Sequence, residues 1–179
     1  MIARALGVRT RDQAWWIGAD GERKVGRRLD RLSRRGWHVL HGVEFGRGGD
    51  IDHLLISRWG VFTVNTKHHR GAHVTVGRSV VFVRGGQEPY AAKARREASR
   101  VRAALSAAIG RPVNVEPLVV IHGHARLSGW LRHHPGGVQV LPSRAVTWWL
   151  RMPARPVLSA EEAEALYAAA RSPGTWRSV

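Results

Sequence analysis

The sequence predicts a single-domain α/β fold. Three observations predict it. Apolar residues recur at helical spacing in two long basic stretches, near 14–35 and 88–109. Between them, short runs rich in Val, Ile and Leu are separated by glycine-containing turns, the pattern of strands. The 179 residues, 44% of them hydrophobic, suffice for one real core.

The first helix is expected over about 14–35, ended by Gly36. Val25, Leu29 and Leu32 form its core stripe, and arginines fill most of the remaining surface. Glu22 lies one turn before Val25 on the same stripe, which is unusual because an ionised Glu is rarely buried without a partner. Strands are expected at Trp37–Val43, Ile51–Ser57 and Val61–Lys67, the last two joined by a tight turn at 58–60. His73–Val76 and Ser79–Val83 read as a hairpin. The second helix follows from about Glu88 to Ile109, with Tyr90, Ala94, Ala98, Val101, Leu105 and Ile109 as its stripe. Pro117–Ile121 reads as a buried strand and Val138–Leu141 as a short one. Ser143 is expected to cap a helix ending near Met152, and Ser159 with Glu162 forms a capping box for a last helix to about Arg171. Ala154-Arg155-Pro156 reads as a short rigid linker.

The net charge of +16, from 29 basic and 13 acidic residues, points to a polyanionic partner, nucleic acid first. Arginine predominates over lysine, a ratio a GC-rich genome would also produce, but such bias does not explain the shortage of acids. Zero cysteines exclude disulfides and thiolate zinc sites. No run of eighteen apolar residues or signal-like h-region is present, so a cytoplasmic protein with no membrane association is expected.

Period-two alternation gathers polar groups at one end of the sheet. Asp50, Asp52, Leu54 and Ile56 share one face of their strand, and Val61, Thr63, Asn65 and Lys67 share one face of the next. Pairing through the 58–60 turn brings Asp52 near Asn65 and Lys67, and the first helix could bring Glu22. Hard oxygen ligands of this kind suit Mg²⁺. A bound cation there can polarise a phosphodiester, and a nearby ammonium can stabilise the charge that develops. Lys67 is one of three lysines, which suits a role needing a compact charge, although an edge-strand gatekeeper is the competing use.

The run Gly18-Ala-Asp-Gly21-Glu22 opening a helix, then Asp50-Ile-Asp52-His53, then Gly60-Val-Phe-Thr-Val-Asn65-Thr-Lys67, resembles the nuclease-related domain family. That family is similar to the PD-(D/E)xK nucleases. The resemblance covers about residues 15–120. It implies a restriction-endonuclease-like αβββαβ core with a mixed central sheet flanked by helices. It also implies a divalent-metal site (Mg²⁺ or Mn²⁺) and cleavage of nucleic acid, DNA first. By position, Glu22, Asp52 and Lys67 match the catalytic residues, with Glu22, Asp52 and Asn65 as metal ligands. Asn65 stands where the family usually has an acid, so the alternative is a catalytically weakened module that binds nucleic acid without cutting it.

Three parts are expected: a basic extension at 1–14, the core at 15–121, and a C-terminal extension at 122–179 packed on the core. Arg23, Arg27, Arg95 and Arg96, with His68 and His69, are candidate nucleic-acid contacts, though solvated positions would explain them too. Such nucleases often act as dimers, so a homodimer through the Trp148–Trp149 segment is one expected assembly. His122, His124, His133 and His134 make only a weak zinc pattern.

Overall fold

The computed structural model describes residues 11–152 and 155–179. Most of the expected basic extension, and Ala154 of the expected linker, lie outside the described residues. The first helix, α1 (Arg11–Leu29), begins earlier than expected and passes into a 3₁₀ segment at Asp30–Arg35 before Gly36 stops it.

Five strands make the central sheet in the order β1-β2-β3-β7-β9. They are β1 (His38–Glu44), β2 (Asp50–Ser57), β3 (Gly60–His68), β7 (Val115–His122) and β9 (Gln139–Pro142). β1, β2 and β3 are antiparallel neighbours, whereas β3, β7 and β9 run parallel. The expected C-terminal extension therefore contributes a strand to the same sheet as the core.

Alternation decides what each face meets. Leu55, Phe62, Val64, Leu118 and Val120 pack with Val25 and Leu29 of α1. Leu54, Ile56 and Val61 pack instead with Ala98, Val101 and Leu105 of α2 (Tyr90–Ile109). The short α3 (Val146–Trp149) joins the α1 side, and α4 (Ala160–Arg171) the α2 side. The result is a three-layer arrangement with the sheet in the middle and apolar surface removed from water on both of its faces. This is the mixed α/β, nuclease-like architecture that the sequence predicts.

A second, four-stranded sheet has the order β6-β5-β4-β8. The expected hairpin supplies β4 (His73–Val76) and β5 (Val81–Val83). β6 (Gly86–Glu88) and β8 (Arg126–Ser128) are not among the expected strands: three residues are too few to show a period. β6 also explains why α2 starts at Tyr90 rather than Glu88, since Glu88 pairs with Val81. Val74, Val76 and Val81 pack on Ala91 and Ala94, so this small sheet is seated over the start of α2.

The capping box of α4 is present as expected, with the Glu162 amide donating to Ser159 Oγ and the Ser159 amide to the Glu162 carboxylate. The Ser143 cap is not: α3 begins at Val146, and Ser143 Oγ lies 2.9 Å from His122 Nδ1 instead. The Ser143 hydroxyl is thus engaged by the neighbouring strand β7 rather than by a helix start. Among the described residues, no helix is long and apolar enough to cross a membrane.

Candidate functional site

β2 and β3 pair from Ser57–Gly60 up to His53–Val64, and Asp52 is the next residue beyond. The β1–β2 ladder likewise steps from His41–His53 to Val43–Ile51 without a Gly42–Asp52 pair. Gly42 has φ +58°, a left-handed conformation that breaks a regular strand. The Asp52 carboxylate accepts the backbone N–H of Thr66. A side chain thus supplies the bond that a neighbouring strand would have made.

Burial pushes the Asp52 carboxyl up to about 6; the Thr66 amide lowers it, while the Glu22 and Glu97 charges add to the rise. Burial is also the main cause that lowers Lys67, followed by the like charge of Lys93; Asp52, Glu97 and Glu22 pull the other way. These five charged groups therefore feel one another, and they lie at one end of the sheet.

Alternation along β3 points Asn65 and Lys67 to the α2 side. The Asn65 side chain is buried, and its amide donates to Glu97 Oε2 at 2.8 Å. Glu97, on α2, is only 6% exposed, and its other oxygen lies 3.3 Å from Lys93 Nζ. So a carboxylate absent from position 65 stands beside that position, delivered by the facing helix. Asn65 Oδ1 is enclosed without a hydrogen-bond partner, a polar atom that burial destabilises.

Sequence reasoning missed Glu97. The signal was available: it is an acid within the apolar stripe of a helix, the same anomaly that marked Glu22. Lys93 and Tyr90 were also missed. Lys67 Nζ sits 5.5 Å from the centre of the Tyr90 ring, and Tyr90 Oη lies 2.7 Å from His69 Nε2.

Glu22 reaches the cluster from the opposite layer. The first helix does not pack on the face that carries Asn65 and Lys67; its apolar residues cover the other one. Glu22 instead shares a cleft of about 370 Å³ with Asp52, Asp50 and Asp30, flanked by Arg23 and Arg27. Arg23 and Arg27 are exposed there, while Arg95 and Arg96 are exposed on α2, across the sheet.

The two histidines after Lys67 are packed rather than loosely solvated. His68 is half-buried between Gly21 of α1 and Gly123 beyond β7. A Cβ on either glycine would come within 2.8 Å or 2.6 Å of the His68 side chain, so both approaches need glycine. His69 is held by Tyr90.

Along the cleft, a chain of polar contacts runs from Asp30 Oδ1 to His41 Nε2 at 2.9 Å, then from His41 Nδ1 to His53 Nδ1 at 2.8 Å. His53 is 3% exposed. Burial drives it down to about 3, the neighbouring His41 adds to the drop, and Asp30 and the Glu22 backbone oppose it. His53 is therefore neutral at physiological pH.

The donor set suits a hard divalent cation in kind: carboxylates at Asp52, Glu22 and Glu97, and the orphaned amide oxygen of Asn65. Among the described residues, no group of three or more His, Asp or Glu side chains forms a ready-made cage.

The family model described as nuclease-related domain matches residues 17–122, more than half of the chain. A protein of Bacillus anthracis described as uncharacterized is 42% identical over 60 residues, which cover 31% of this chain and 28% of that protein. The match thus spans less than a third of that relative's length. No solved structure matches the chain.

Proposed function

The chain belongs to the nuclease-related domain family, and from that premise we propose that it cleaves phosphodiester bonds of DNA with the help of a divalent cation. The observation that carries this reading is the Asn65–Glu97 pair: the acid missing from the strand is restored from α2 at 2.8 Å. Asp52, the Asn65 carbonyl oxygen and Glu22 would hold Mg²⁺ or Mn²⁺, with Glu97 fixing the Asn65 amide so that its oxygen is presented to the site. Such a cation, when bound, supplies Lewis acidity to a phosphate oxygen and acidifies a bound water.

The chain's own residues divide the remaining work. Asp52 is a buried carboxyl held up to about 6, mainly by desolvation, and a bound cation would favour its ionised form. Lys67 is a partly buried ammonium that Lys93 and desolvation press toward giving up its proton. It is suited to orient an attacking water and to stabilise charge on the phosphate. Arg23, Arg27, Arg95 and Arg96 would hold the backbone on either side.

The test is plasmid cleavage with Mg²⁺ by the purified chain beside Lys67→Ala and Glu97→Ala. Loss of roughly 100-fold or more in Lys67→Ala is expected. Equal activity in wild type and Lys67→Ala, or none in either, sinks the proposal.

One observation favours a second reading, a binding module without cleavage. Both Glu97 oxygens are already engaged, by Asn65 and by Lys93, which leaves less charge for a cation. That reading expects salt-sensitive DNA binding that EDTA leaves unchanged.

A further inference from the structure

The cleft between α1 and the β1–β2 edge has a charge opposite to that of the molecule. The chain carries +16, yet Glu22, Asp30, Asp50 and Asp52, four of its 13 acids, line this one cavity. Without a bridging cation, a phosphate is repelled by such walls. Arg23 and Arg27, which favour phosphate, are exposed beside the acids and also border it. Along the same walls Ala19, Gly26 and Gly42 contribute almost no side-chain bulk. His53 is the deeply buried member of the lining, and its Nε2 lacks a well-formed hydrogen bond. About 370 Å³ falls in the range of small-ligand pockets, roughly 300–1,000 Å³, and at its low end.

We propose that this cleft receives the base and sugar of one unpaired nucleotide, so that the chain prefers single-stranded or frayed ends to the interior of an intact duplex. The inference rests on the nucleic-acid reading above and names its substrate class. The exocyclic amines of a base and the hydroxyls of a sugar are hydrogen-bond donors, which carboxylates accept. A base inside a duplex has its pairing donors already engaged and its faces stacked; an unpaired base exposes both. The backbone phosphates stay on the arginine side, and the phosphodiester next to the inserted nucleotide lies at Asp52, which belongs to both the cleft and the site.

The test measures binding of the full chain, in EDTA, to a fluorescent blunt duplex and to the same duplex with a short single-stranded overhang. The overhang should bind roughly tenfold tighter, about the effect of one ordered base. Ala19→Trp fills the cleft and should reduce overhang affinity to the blunt-duplex value without changing the latter. Asp50→Asn, nearly isosteric at an exposed position, should shrink the preference in a chain whose fold is undisturbed. Equal affinity of the wild type for both forms overturns the cleft proposal while leaving nucleic-acid binding intact. A preference that survives both substitutions overturns it as well. No binding to either form removes the nucleic-acid reading and this inference together.

Discussion

The two faces of β3 carry alternate residues of one short sequence, and they have opposite characters. Toward α1 stand Phe62 and Val64, packed with Val25, Leu29 and Leu55. Toward α2 stand Thr63, Asn65 and Lys67, beside Glu97 and Lys93. The first face is apolar at Phe62 and Val64 and turns polar only at Thr66 and His68, near the strand's C-terminal end. The second begins apolar, at Val61, and becomes polar toward the strand's C-terminal end. Both helices bring ionisable groups to this end of the sheet, Glu22 from α1 and Glu97 with Lys93 from α2, and the charged cluster gathers only where the ladder to β2 has ended.

The largest effect is expected from damage to the apolar face. Leu55 is fully buried there, and Leu55→Ala should cost about 2–5 kcal/mol in urea unfolding. DNA affinity per folded molecule should stay unchanged. A stability decrease well below about 1 kcal/mol would mean that the α1 face does not hold the fold.

A smaller effect separates the neighbours Asp52 and His53, whose ionisation is linked to stability with opposite signs. Asp52 has its folded value raised to about 6, so the stability linked to it is present at low pH and is lost as pH rises through 6. Asp52→Asn should therefore stabilise the protein at pH 8 by roughly 1–3 kcal/mol, a gain that fades as pH falls from 6 toward 4. His53 is lowered to about 3, so its stability is present above its unfolded value and is lost as pH falls from about 6.5 toward 3. Thermal midpoints across this range, for wild type and Asp52→Asn, check both signs. A mutant with the same midpoint as wild type at pH 8 would refute the buried-charge account of Asp52.

The smallest effect lies on the surface. Arg23→Ala with Arg27→Ala should lower the slope of log affinity against log salt by about 1 for each phosphate that is no longer neutralised. Titration at several salt concentrations measures it. An unchanged slope would take α1 out of the DNA path and leave α2, with Arg95 and Arg96, as the binding surface.

Much of this arrangement is legible in the sequence because it depends on local periods. Val25, Leu29 and Leu32 announce α1, and the alternation from Val61 to Lys67 puts Asn65 and Lys67 on one side of β3. The placement of Asp52 beside the C-terminal end of β3 follows from turn length. What is not legible depends on residues distant in sequence. Glu97 is 32 residues from the Asn65 it serves, and nothing in α2 alone announces that pairing. Ser143 has the local signature of a cap but meets His122, 21 residues away, across the sheet. The strands Gly86–Glu88 and Arg126–Ser128 owe their state to the edges they complete rather than to their own propensity.

The bond between Thr66 N–H and Asp52 gives a structural part to the same side chain that the proposed function would use. An ordinary site residue can be exchanged while the scaffold stays as it was. Here the carboxylate that would face a substrate also accepts the Thr66 amide just beyond the end of the β2–β3 ladder. Any change in its charge or its ligands is felt by the backbone of β3 at Thr66, directly between Asn65 and Lys67. Were Asp52 to serve the proposed reaction, a substitution aimed at that reaction would act at the same time on where the pairing of β2 with β3 ends.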